Sequence, residues 1–143
     1  MVFTRSDAPS GTILYEAGVP AAQTWREFRL FVDSTGVRDT GLALLYPESP
    51  GGGTEGAATV TLSLYDTSSH LLGEEVLQLA PGEHLPRYIF QLFPGVASAG
   101  EMEGVLVVSS DQPLAAITLR QNDAPGLDYP DEVPVLTTFP VIP

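Results

Sequence analysis

A chain of 143 residues with 43% hydrophobic and 17% charged side chains has the composition of a globular domain, long enough to bury about 68–70% of its unfolded surface around one core. Six basic residues, all of them arginine, against 18 acidic ones give a formal charge of -12, and with no arginine cluster interleaved with aromatics this surface excludes nucleic acid as a partner. Cysteine is absent, which excludes disulfides, thiolate metal sites and a cysteine nucleophile, and no stretch approaches the roughly 20 apolar residues that cross a bilayer, so no membrane insertion is expected.

Thirteen prolines and fourteen glycines are spread along the chain and leave little room for a long helix. Met1 to Ser10 has no apolar core behind a basic cluster, so a signal peptide is not visible and the compartment stays open. Residues 1–22 read as an N-terminal extension with Thr12 to Glu16 as its strand. Within it Thr12, Ile13, Leu14 and Tyr15 are interaction candidates, because such a strand can be exchanged with a neighbouring subunit or pair along its sheet edge.

Glu27 to Asp33 sets Phe28, Leu30 and Val32 against Glu27, Arg29 and Asp33, the period of a strand with one buried face. Phe31 breaks the polar face and is a further interaction candidate, open to packing within the chain, covering an edge or contacting a partner. Gly41 to Tyr46 predicts the next strand, and Pro47 to Gly56, with Gly51-Gly52-Gly53, a glycine-rich excursion. The clearest strand is Ala58 to Tyr65, where Val60, Leu62 and Leu64 alternate with Thr59, Thr61 and Ser63. A one-residue slip there would expose all three apolar side chains, at about 1.5–3 kcal/mol each.

Thr67-Ser68-Ser69-His70 suits a hairpin connection to a strand over Glu74 to Leu79. After Pro86, the run Arg87 to Phe93 places Ile89, Leu92 and Phe93 at helical spacing, one or two turns ended by Pro94-Gly95. Gly104 to Ser109 and Leu114 to Gln121 predict two further strands, and Asp111-Gln112-Pro113 has the turn chemistry to reverse the chain between them. Asn122 to Pro134 is an acidic, proline-rich excursion, and Leu136 to Val141 closes the chain as a strand. Eight strands at this spacing predict an all-β fold: one domain over residues 1–143, built as a two-sheet β-sandwich with one short helical turn.

The chemistry of a hydrolase is not assembled by any motif. The side chains of near-neutral ordinary pKa are His70 and His84, both beside turns, and Val96-Ala97-Ser98-Ala99-Gly100 has valine where a nucleophile elbow needs glycine. Adjacent Glu74 and Glu75 on a strand point to opposite faces and are poorly placed to share one sugar. Gly51-Gly52-Gly53 has no lysine and no following helix to make it a phosphate loop. Asp123, Asp128, Asp131 and Glu132 offer the hard oxygens that calcium takes, without the alternating pattern or fixed glycine of a calcium loop. Trp25, Tyr46, Tyr65, Tyr88 and Tyr129 are candidates for stacking on a sugar, with Tyr129, in the acidic loop, expected to be the most exposed.

Several stretches carry a resemblance: Phe31-Val32-Asp33, Thr40-Gly41-Leu42-Ala43-Leu44, Ala58-Thr59-Val60-Thr61-Leu62, Leu79-Ala80-Pro81-Gly82 and Leu92-Phe93-Pro94-Gly95. Ser109-Ser110-Asp111-Gln112-Pro113-Leu114-Ala115, the most specific, Leu119-Arg120 and Leu136-Thr137-Thr138-Phe139-Pro140-Val141 complete the set. Over residues 28 to 143 the chain resembles a module that recurs, often in tandem, in large secreted and cell-surface proteins of environmental bacteria; the glycine-rich and acidic loops depart from its pattern. The resemblance implies an immunoglobulin-like sandwich in an extracellular setting, with no catalytic residues to carry over.

The resulting expectation is a non-enzymatic extracellular structural or adhesive module, self-assembling through β-strand pairing into a surface fibre. Its partners would be other copies of itself or neighbouring surface-protein domains, and it would need no cofactor, calcium at the acidic loop being the one candidate. The alternative is a carbohydrate-binding module of a secreted multidomain protein, with polysaccharide as partner.

Overall fold

Alternation of apolar and polar side chains marks the clearest strands of this protein, and burial follows the alternation there. In β3 (Thr24–Ser34) Phe28, Leu30 and Val32 are buried while Glu27, Arg29 and Phe31 are exposed; in β5 (Ala58–Asp66) every second residue from Ala58 to Leu64 is buried. The computed structural model describes residues 2–6, 13–18, 23–34, 38–48, 56–97, 102–122, 135–139 and 142. The other elements are β1 (Val2–Ser6), β2 (Ile13–Gly18), β4 (Arg38–Leu45), β6 (Leu71–Leu79), β7 (His84–Tyr88), the helical turns α1 (Ile89–Leu92) and α2 (Pro94–Ala97), β8 (Met102–Asn122) and β9 (Val135–Phe139).

The fold is mostly β, with one seven-stranded antiparallel sheet curled about β8. Strand order along its main path is β6-β5-β8-β4-β7, with β3 and β9 also pairing with β8. The strand of 21 residues changes neighbours midway: Gly104 to Ser110 lie beside β5, and Ala115 to Asn122 beside β4. On its other edge β3 pairs with Met102 to Ser109 and, past an irregularity, with Leu114 and Ala115, and β9 pairs with Thr118 to Asn122; a bridge between Arg29 and Ile142 ties the chain beyond β9 back to β3. The strands β1 and β2 form a separate two-stranded antiparallel sheet.

Both halves of the curled sheet contribute to one apolar core. Phe28, Leu30, Val32, Val60, Leu62, Leu64, Leu106 and Val108 come from one side, and Leu42, Leu44, Leu114 and Ala116 from the other. Ile89 and Phe93 close it from the helical segment, with Phe93 seated against Gly73, where a Cβ would lie 3.0 Å from the ring. The passage from β6 to β7 is a tight turn: Glu83 N–H donates to Ala80 C=O at 2.9 Å across Pro81-Gly82, with Gly82 at φ +80, where glycine replaces strain with freedom. Gly82 and Tyr46 backbone groups clip this turn to the end of β4.

Three expectations are corrected. Asp111-Gln112-Pro113 does not reverse the chain; it sits inside β8 at the place where that strand changes neighbours. There the Asp111 carboxylate accepts the Thr59 backbone N–H at 2.9 Å, and Pro113 has no N–H to extend a ladder. Arg87 and Tyr88 are strand and not helix, because Pro86 is tolerated on β7, the last strand of its sheet path. Pro94-Gly95 opens a second helical turn and does not end the helical run, consistent with proline's fit to the first turn of a helix. Strands β1 and β7 were not expected; the others fall on predicted segments.

Candidate interaction surface

The core face of β3, β8 and β5 is closed over this part of the sheet, and on the opposite face, which runs on to β6, large apolar side chains meet solvent. Cross-strand register arranges it in rows. Phe31 lies opposite Val105, Val105 opposite Tyr65, and Tyr65 opposite Leu71, across β3, β8, β5 and β6 in turn. Phe31 is 44% exposed, Val105 36% and Leu71 53%, while Tyr65 is half-buried. A contiguous apolar row of this kind on a solvated face is a feature of contact surfaces. A register shift between Leu64 and Tyr65 brings Leu71 opposite Tyr65, with Leu72 as the intervening residue.

The next row runs Arg29, Val107, Ser63 and Glu74. Glu74 lies along the face, since its carboxylate accepts the Ser63 hydroxyl at 3.1 Å, and Arg29 is 3.8 Å from the exposed carboxylate of Glu27. A third row ends in Val76, 59% exposed. Among the described residues β6 pairs with β5 alone, so its outer edge presents unpaired backbone groups along Leu71–Leu79.

On the other half of the sheet, a shallow apolar groove of about 220 Å3 is lined by Gly41, Leu42, Pro86, Tyr88 and Leu119, with Arg87 and Gln91 as its polar members. Tyr88 stacks on Phe90 with ring centroids 5.5 Å apart, and Phe90 is 42% exposed. The hairpin joining β5 to β6 is fixed by Asp66, whose carboxylate accepts the backbone N–H groups of Ser68 and His70, each at 2.8 Å, and lies 3.0 Å from His70 Nδ1. The His70 backbone N–H is the main reason the Asp66 pKa is lowered; desolvation opposes it, and the imidazole contact and the Ser68 N–H add to the lowering.

The sequence-predicted residues are distributed as follows. Phe31 belongs to the apolar row, together with Tyr65. Ile13, Leu14 and Tyr15 lie in β2, which pairs with β1 of its own chain. Thr12, Tyr129 and the calcium candidates Asp123, Asp128, Asp131 and Glu132 lie outside the described residues. Tyr46 is buried within the core and so not available to stack on a sugar, and Trp25 packs against the core while remaining half-buried. His70 and His84 are both exposed. Among the described residues no three His, Asp or Glu side chains gather as a metal site would need, and no helix is long and apolar enough to cross a membrane.

Val105, Leu71 and Val76 were missed by sequence reasoning. Leu71 and Val105 sit in uniformly apolar runs, Leu71-Leu72 and Val105-Leu106-Val107-Val108, where periodicity does not say which side chain faces out. Val76, between Glu75 and Leu77, carried a usable signal: it stands on the same face as Glu74.

No family model and no curated protein matches this chain. Its structure is similar to the crystal structure of Thermotoga maritima 1070, at 15% identity and a TM-score of 0.56, over 80% of this chain and 90% of that one. At that identity the likeness concerns the fold alone, and it agrees with the β-rich architecture.

Proposed function

We propose that this protein is a non-enzymatic structural or adhesive module of an extracellular surface, an immunoglobulin-like sandwich whose layers are the two halves of the curled sheet, and that it self-associates by strand pairing. The observation that carries the reading is the β6 edge: nine residues, unpaired on the outer side among the described residues, bearing Leu71 and Val76 exposed. Edge strands in monomers are commonly short, bulged or blocked by proline and charge, and β6 is long, with one irregularity at its Leu71 end and the adjacent Glu74 and Glu75 as its brakes. The extracellular setting rests on the sequence resemblance. A non-catalytic role is supported by the exposed positions of both histidines, one of them tied to Asp66 within a turn.

Light scattering and electron microscopy of the intact protein test this reading. Concentration-dependent growth that Val76→Lys slows is the expected result, and a monomer at every concentration would remove it.

A second reading, carbohydrate binding, is favoured by one observation, the groove beside the stacked Tyr88 and Phe90. Its test is a glycan array on which Tyr88→Ala abolishes any signal; silence across bacterial and plant polysaccharides would dismiss it.

A further inference from the structure

We infer that a second copy of this chain docks face to face on the outer surface of β3, β8, β5 and β6, about a two-fold axis lying in the interface parallel to the strands. The inference rests on the self-association proposed above and names a contact distinct from the β6 edge.

The register of the rows carries it. An isologous contact presents the same patch on both molecules, and rotation about such an axis reverses each row end for end. Phe31, at the β3 end, then lies over the second copy's Leu71, and Val105 over its Tyr65. The apolar row is therefore covered by itself, with side chains of two sheets interdigitating across about 10 Å, the ordinary spacing of stacked sheets.

The same rotation acts on the charged row. Arg29 and Glu74 occupy its opposite ends, too far apart to meet within one molecule, and reversal places each arginine over the other copy's glutamate. The complementarity occurs twice because of the symmetry. Arginine is scarce, with six in a chain of formal charge -12, so its position at the end of this row is a specific match to a like partner with a carboxylate at the other end. Two acidic molecules repel at long range, and added salt screens that repulsion.

A face contact of this kind also explains how strand pairing could extend into a fibre. Edge pairing through β6 alone closes as a dimer if it is isologous; a second isologous contact on a different surface extends the assembly without end where the two two-fold axes do not intersect.

Sedimentation velocity on the intact protein, with Arg29→Glu, Glu74→Arg and the two combined, tests the contact. Arg29 lies on β3, with β8 and β5 between it and β6, so edge pairing is indifferent to it. Each single change is expected to raise the dissociation constant on the order of ten-fold, the pair being lost twice and replaced by like charges, and the double change to restore it. Self-association unaffected by Arg29→Glu overturns the face contact and leaves the edge reading in place, whatever Glu74→Arg does on the edge strand itself. A wild-type chain that stays monomeric at millimolar concentration overturns both.

Discussion

Asp33 and Arg120, separated by 87 residues, form a salt bridge that ties the end of β3 to the far half of β8. The Asp33 side chain is 3% exposed and that of Arg120 24%. Thr40, which lies opposite Arg120 in the β4–β8 ladder, completes the tie: its hydroxyl donates to the Asp33 carbonyl at 3.0 Å and accepts the Asp33 N–H at 2.9 Å. Asp39 anchors the same corner by accepting from the Ser34 hydroxyl and from the Thr40 N–H.

Removing one partner of this pair leaves a nearly buried carboxylate without its cation. Arg120→Ala is expected to cost about 3 kcal/mol, the lower end for a buried pair, because Arg120 keeps some solvent. Urea unfolding measures it; a loss under about 1 kcal/mol would place the pair among ordinary surface bridges.

At Gly104 the β5 backbone comes close to β8, and a Cβ there would overlap the Tyr65 carbonyl oxygen. Gly104→Ala is expected to destabilise by at least about 1–3 kcal/mol, since backbone must move. Gly95→Ala is the matched control: nothing lies within 4 Å of its Cβ position, so a neutral or slightly stabilising change is expected. Thermal melts of the two variants side by side decide it.

Phe28 and Phe31 separate stability from association. Phe28 is fully buried, and Phe28→Ala should cost about 3–5 kcal/mol in unfolding free energy. Phe31→Ala, on the exposed face, should stay within about 0.5 kcal/mol of the parent while weakening self-association. Equal destabilisation by the two would make Phe31 a core residue in effect.

Asp66 gives the β5–β6 hairpin an acid limit. Its pKa is lowered by donors present only in the folded turn, so the stabilisation is complete above the ordinary aspartate value of about 3.9 and is lost as pH falls through the lower folded value. Amide resonances of Ser68 and His70 should titrate with a midpoint below that ordinary value, and Asp66→Asn should abolish the transition. A midpoint at or above it would contradict the hydrogen-bonded turn.

Alternation made β3 and β5 readable because one of their faces is sealed: every inward residue from Phe28 to Val32 and from Ala58 to Leu64 is buried. It failed in β8 for a physical reason. Asp-Gln-Pro has the local chemistry of a turn, and tertiary partners, the Thr59 N–H and the β3 residues paired on either side of it, hold it in a strand. Phe31 was visible as an apolar residue on a polar face; the neighbours that complete its row become visible only with cross-strand register, which a single chain does not display.

The continuous β8 also governs how the protein is made. Its N-terminal half completes β3 and β5 and its C-terminal half completes β4, so a nascent chain that has emerged only as far as α2 has its hairpin β5–β6 and its pair β4–β7 without the strand that joins them. Synthesis at about 5–20 residues per second leaves those apolar faces waiting for seconds. Folding is therefore expected to wait for β8 and to be slow for the size of the domain, since its decisive contacts join distant segments. Truncation before Met102 should yield a chaperone-bound or degraded chain in place of a smaller folded domain.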